Sequence, residues 1–100
     1  MNASKEHDYA ELNDEELMGH VAGGDTLALA CLYDRYAAFV MGLVLKTLPD
    51  RGSAEEVVFE TFWRVWSYRD SFQFHSVKFV DWLSVTAYGL TMSIRHRQLL

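Results

Sequence analysis

Residues 53–66 read SAEEVVFETFWRVW, and their spacing decides the fold class. Ser53 followed three residues later by Glu56 has the form of a capping box, in which each side chain satisfies an orphan amide of the first helical turn. At about 100° per residue, Val65, Val58, Phe62, Trp66, Phe59 and Trp63 fall on one continuous arc. Glu56, Glu60, Arg64 and Ser67 lie opposite. The centre of the arc is expected to enter a core. Its edge carries Phe59 and Trp63, which either finish that core or face a partner.

Working outward, the chain on each side repeats the same helical logic. Asn13, with Glu16 at the third helical position, starts a short helix through Leu17, Met18 and Val21, and Gly23 and Gly24 end it. Asp25 caps a helix of about twenty residues whose buried face is expected to be Leu29, Tyr33, Tyr36, Val40, Leu43 and Val44. Its second half, residues 37–45, is apolar nearly all round, as in a central helix touched on more than one side. Pro49 to Gly52 read as a tight connection. Tyr68 to Ser76 alternate polar and aromatic residues, but a lone strand would have no sheet partner, so the segment reads as a helix end and structured loop. The last helix is expected from near Val77 to Arg97, burying Phe79, Val80, Leu83, Ala87, Leu90 and Ile94. Trp82 points away from that face and needs cover, which a loop of the same chain can provide.

One hundred residues, half of them hydrophobic and only one a proline, suit one ordered domain. The expected fold is all-α: a compact bundle of three main helices plus a short N-terminal helix, spanning residues 13–98. Residues 1–12 are polar, weakly periodic and expected to be flexible, and no second domain is expected in this chain. The uncharged run Tyr36 to Leu45 is about half the length that a membrane-spanning helix requires, so no membrane insertion is expected. The opening residues lack a signal-peptide pattern, and Cys31, the single cysteine, sits among Ala28, Ala30 and Leu32 as an inert buried thiol. The expected location is cytoplasmic. The last helix reaches Leu100 without a clear cap, which suggests a fragment.

Charge is polarised along the chain, whose net charge is −5. Residues 1–34 set Lys5 against Glu6, Asp8, Glu11, Asp14, Glu15, Glu16, Asp25 and Asp34; residues 64–100 set Arg64, Arg69, Lys78, Arg95 and Arg97 against Asp70 and Asp81. A weakly basic patch on an acidic body binds duplex poorly alone, because that affinity rests on phosphate neutralisation. The four histidines, at 7, 20, 75 and 96, have no metal-ligand spacing. Gly23-Gly24 is no phosphate loop, and Glu56 and Glu60 have no nucleophile beside them. The expectation is no enzyme, with no catalytic residues, metal or cofactor.

In order and spacing, DEELM at 14–18, Gly24-Asp25, LYDRY at 32–36, EEVVFETFWRVW at 55–66, FVDWL at 79–83 and RHR at 95–97 resemble the second domain (region 2) of a bacterial RNA polymerase sigma factor of the extracytoplasmic-function type. The resemblance runs from Asn13 to Arg97. It implies a helical bundle that grips the clamp helices of the core polymerase β′ subunit and captures and melts the minus-ten promoter element, mainly through the single-stranded non-template strand. Carried onto this sequence, polymerase contact falls to Phe59, Glu60, Trp63 and Arg64. The DNA-reading surface falls to Phe72, Phe74, His75, Lys78 and Trp82, with Arg69, Arg95 and Arg97 toward phosphates and Tyr88 stacking or donating a hydrogen bond. The resemblance also implies an anti-sigma partner, and it includes a second reading: a sigma-like interaction module or regulator without productive promoter reading. Ala87, Tyr88 and Gly89 depart from the Arg-Asn pair usual after that alanine, Ser93 stands where an acidic residue is common, and Phe59 stands in place of a glutamine. These departures bear on the strength and sequence choice of DNA binding.

Overall fold

The computed structural model describes residues 9–72 and 77–100. Four helices follow in order: α1 (Asp14–Ala22), α2 (Thr26–Leu45), α3 (Arg51–Ser67) and α4 (Phe79–Leu99). No strand occurs among the described residues. The first two helix starts form as their sequence indicates. The Asn13 side chain accepts from the Glu16 amide at 2.8 Å while Glu16 accepts from the Asn13 amide at 2.9 Å, completing a capping box. Asp25 accepts from the Leu27 and Ala28 amides at 3.0 and 3.3 Å. Between them the chain turns through Gly24, whose φ of 91° suits a residue without a Cβ.

The third helix start corrects the sequence reading. Helix α3 begins at Arg51, and its cap is Asp50, which accepts from the Ser53 amide at 2.9 Å and the Ser53 hydroxyl at 2.8 Å. Ser53 is thus the donor in this cap, and no box with Glu56 forms. Asp50 is an equally good capping residue, and it stands three positions before Ser53, within reach of its amide and hydroxyl. Those two Ser53 hydrogen bonds hold the Asp50 carboxyl below the usual carboxylate range.

Helix α2 packs against α1, α3 and α4. Its length and mean hydropathy of 1.5 would allow a membrane crossing by composition. In this fold the same apolar surface serves three neighbours, and mid-helix Arg35 pairs with Asp14 of α1 at 3.1 Å. The buried positions are Ala28, Leu32, Val40 and Val44, while Leu29, Tyr36 and Leu43 are half-buried and Tyr33 is exposed. The expected face was therefore rotated by about one residue, because a nearly all-round apolar helix has a poorly defined centre.

Helices α3 and α4 run antiparallel: Gln98 reaches Ser53 at one end, and Trp82 meets Phe72 at the other. Helix α3 buries Ala54, Val57, Val58, Thr61, Phe62 and Val65; α4 buries Phe79, Leu83, Ala87, Thr91 and Ile94. Thr61 and Thr91 were not expected inside. Each hydroxyl donates to the carbonyl one turn back, Val57 or Ala87, at 2.7 Å, so the polar group is satisfied within its own helix while the methyl packs. Val80 and Leu90 are half-buried.

The described residues ahead of α1 begin at Tyr9. Tyr9 and Leu12 pack on the core, and the Tyr9 hydroxyl donates to Asp25. Cys31 is half-buried rather than buried, with its thiol 3.7 Å from the Tyr9 carbonyl oxygen. Across α1 and α2, Tyr36 donates to Asp14 while its ring lies 5.7 Å from that of Phe79. Burial, then that hydrogen bond, pushes the Tyr36 hydroxyl up to about 12.

Candidate functional site

Helix α3 separates two grooves, and its helical period decides which side chain enters each. Phe59 and Trp63 are one turn apart and leave α3 toward α2. Glu60 and Arg64 are likewise one turn apart and leave it toward α4.

The groove toward α2 is apolar and about 620 Å³ in volume, lined by Leu29, Ala30, Tyr33, Phe59, Phe62, Trp63 and Trp66 with Thr26 and Asp34 at its polar margin. Its floor is fixed by packing, since Phe62 is buried and meets the Tyr33 ring edge-on at 5.0 Å. Its lips are not: Phe59 is 68% exposed and Trp63 54%. Two large aromatic rings left in solvent beside a preformed apolar floor are what an incoming side chain of a protein partner would cover. Phe59 and Trp63 therefore do not close the core. Tyr33 and Asp34 also line this groove, which the sequence reading did not anticipate; its one signal was that α2 is apolar nearly all round, leaving a flank of it beside α3.

The groove toward α4 has two parts joined by Arg64. One part, about 340 Å³, is lined by Arg64, Tyr68, Ser71, Phe72, Trp82 and Thr86. Phe72 meets Trp82 edge-on at 5.4 Å and lies 6.0 Å from Phe79, so the loop does cover the indole and is itself anchored by the core. The result is an aromatic wall facing hydroxyl and guanidinium groups, which suits a planar ring with polar edges. The other part is lined by Glu56, Glu60, Arg64, Leu90, Ser93 and Arg97 among others. There Glu60 and Arg64 form an exposed pair at 3.8 Å, of a kind worth only about 0.3–0.5 kcal/mol, so either partner is free to exchange it.

The remaining residues of the expected DNA surface are not all brought together. Lys78 is exposed at the start of α4, one turn before Trp82. Tyr88, 65% exposed, stands on another flank of α4, over a shallow cleft with Leu43, Thr47, Ser84 and Val85. Arg95 and Arg97 are exposed on the last turns of α4. At about 1.5 Å per residue they lie roughly 20 Å along the axis from Trp82, within reach of the same strand but not of the same nucleotide. Phe74 and His75 lie outside the described residues.

Arg69 folds back on the end of α3. Its guanidinium lies 4.2 Å above the Trp66 ring centroid, and its Nη1 donates to the Trp66 carbonyl at 2.9 Å. Its Nε is buried without an acceptor among the described residues. A guanidinium carried two residues beyond Ser67 folds back on the helix end, where carbonyls lack partners and cations are favoured.

Comparison with known proteins adds three findings. The pattern of the Sigma-70 region 2 family matches residues 32–98. Over 81 residues, 81% of this chain, the sequence is 38% identical to the ECF RNA polymerase sigma factor SigK of Mycobacterium tuberculosis and to that of Mycobacterium bovis; the chain spans 40% of the length of these relatives. Among solved structures, an engineered region 2 of sigmaE, determined by NMR in complex with GTAAAA, matches with a TM-score of 0.79 and 32% sequence identity, covering 88% of this chain and 90% of that one.

Proposed function

This chain belongs to the sigma-70 region 2 family, with extracytoplasmic-function sigma factors as its relatives, and from that premise we propose a non-enzymatic transcription-initiation domain with different partners on the two flanks of α3. The flank toward α2 docks the β′ clamp helices of core RNA polymerase, with Phe59 and Trp63 as anchors, while Glu60 and Arg64, which leave α3 on the other side, stand outside that groove. The flank toward α4 receives the single-stranded minus-ten element. One base sits against Phe72 and Trp82, Arg64, Ser71 and Thr86 meet its edge, and Lys78, Arg95 and Arg97 follow the phosphates.

The observation that carries this reading is the pair of grooves on one helix, one apolar with exposed aromatic lips, the other aromatic with polar edges. The likeness to a region 2 solved with GTAAAA supports the nucleic-acid half. Few cations stand near Trp82, so the domain alone should bind a strand weakly and in a salt-sensitive manner, with polymerase contributing further phosphate contacts. The second reading, an interaction module held by an anti-sigma protein, is favoured by one feature of α4: at 88 and 89 it presents an uncharged phenol and a bare backbone to solvent.

The test is sequential binding: core polymerase to the chain, then a fluorescent single strand containing GTAAAA to that complex. Both steps are expected, and Trp63→Ala is expected to weaken the first by about tenfold or more. No polymerase binding at micromolar concentration would overturn the reading. A polymerase complex that ignores the strand would select the interaction module.

A further inference from the structure

We propose that Arg69 is a positioning residue that ties occupancy of the groove toward α2 to the shape of the groove toward α4. The inference rests on the reading that polymerase fills the first groove and a single strand the second.

Trp66 stands between the two. Its ring lines the groove toward α2 together with Phe62 and Trp63, and the guanidinium of Arg69 lies 4.2 Å over it. Arg69 also holds the Trp66 carbonyl twice, through its backbone amide at 3.3 Å and Nη1 at 2.9 Å. From that clasp the chain turns at once into the second groove: Ser71 donates to the Tyr68 carbonyl at 3.0 Å, and Tyr68, Ser71 and Phe72 line the wall opposite Arg64 and Trp82. A single side chain therefore joins a ring in one groove to the backbone turn that builds the other.

Among the described residues the clasp is also incompletely satisfied. A buried N–H without an acceptor is costly, so a nearby arrangement that supplies Nε with one would compete with the arrangement described. A partner packing on Trp66 shifts the balance between two such arrangements only through its differential affinity for them. Arg69 supplies that difference, because displacing the indole must move the guanidinium or break its stack.

The experiment compares wild-type chain, Arg69→Ala and Arg69→Lys. It measures affinity for core polymerase, affinity for the GTAAAA strand with and without polymerase, the salt dependence of strand binding, and the melting curve. In the wild type, polymerase is expected to raise strand affinity. In Arg69→Ala, polymerase affinity should stay within about twofold while that enhancement falls about fivefold or more, with the salt slope unchanged. Arg69→Lys, which keeps a cation over the ring but loses the guanidinium fork, should recover part of the enhancement. Equal loss of strand affinity with and without polymerase, accompanied by a salt slope smaller by about 0.7, would make Arg69 a phosphate ligand and overturn the proposal. Full enhancement in both variants would also overturn it. If Arg69→Ala does not fold, as its melting curve would reveal, a reduced enhancement in Arg69→Lys supports the proposal and a wild-type value overturns it. A wild-type chain that binds neither polymerase nor strand defeats the underlying functional reading instead.

Discussion

The two flanks of α3 carry the same helix geometry but opposite surface chemistry. Toward α2, Phe59 and Trp63 rise beside a packed floor; toward α4, Glu60 and Arg64 rise beside a cleft that opens onto Phe72 and Trp82. Burying two aromatic lips releases a large apolar area from water and favours one well-shaped partner. An exposed charged pair contributes little by itself but can exchange counter-ions or phosphates without a large loss. One helix can thus serve a persistent protein contact and a more exchangeable nucleic-acid contact because a step of about 100° moves a side chain from one flank to the other.

Phe79→Ala is the strongest way to break this comparison. Phe79 is fully buried and touches Tyr36 and Phe72, so its loss should destabilise the bundle by about 3–5 kcal/mol and degrade both flanks together. Urea unfolding followed by near-ultraviolet circular dichroism would measure it, and a loss below about 1 kcal/mol would mean that the aromatic centre is poorly packed.

A paired substitution sharpens the comparison. Trp63→Ala should weaken polymerase binding about tenfold or more and leave strand binding to the isolated chain unchanged. Trp82→Ala should weaken strand binding by about 1–3 kcal/mol and leave polymerase affinity within about twofold. Fluorescence titration of each partner checks both, and identical effects of the two changes would show that the flanks are not separate sites.

Gly89→Ala should act on α4 alone. A Cβ at this position meets nothing within 4 Å, so the change should raise stability by about 0.5–1 kcal/mol through the unfolded chain. A thermal melt reads that gain. Altered strand affinity in the same variant would identify this flank of α4 as part of the DNA surface.

The smallest expected effect concerns the start of α2. The Tyr9 hydroxyl bond, followed by the Ala28 and Leu27 amides, holds the Asp25 carboxyl below its usual 3.8 despite opposing desolvation. Because the folded state lowers this pKa, its stabilisation is fully present above the unfolded value and is lost as pH falls through the folded one. Tyr9→Phe should therefore reduce stability above the usual carboxylate range and flatten the acid side of the stability profile. Melting temperatures between pH 2 and about 6 would show the convergence of the two proteins at the acid end. The groove beside Thr26 should respond before the groove around Trp82.

Much of the local architecture was legible because its causes lie within one helical turn. Asn13 and Glu16, Asp25, Gly23 and Gly24 marked the boundaries of α1 and α2, and the aromatic edge of α3 was visible from residue spacing. The start of α3 was misread where two good capping residues, Asp50 and Ser53, stand three positions apart and compete for the same role. Thr61 and Thr91 were hidden because a polar letter does not reveal a hydroxyl already bonded to its own helix. Tyr33 was placed inside and Arg69 outside for a related reason: each lies on a boundary that spacing alone does not resolve.

By itself, then, the sequence determined four helices, most of their ends, and an α3 with Phe59 and Trp63 on the edge of its apolar arc. Only the tertiary structure decided that Tyr33 and Asp34 stand opposite those rings, that Phe72 covers Trp82, and that Arg69 turns back onto Trp66. Helix period and capping act between neighbours a few residues apart. The two grooves instead depend on how whole helices rotate and settle against one another, which is set by the simultaneous packing of all their buried faces.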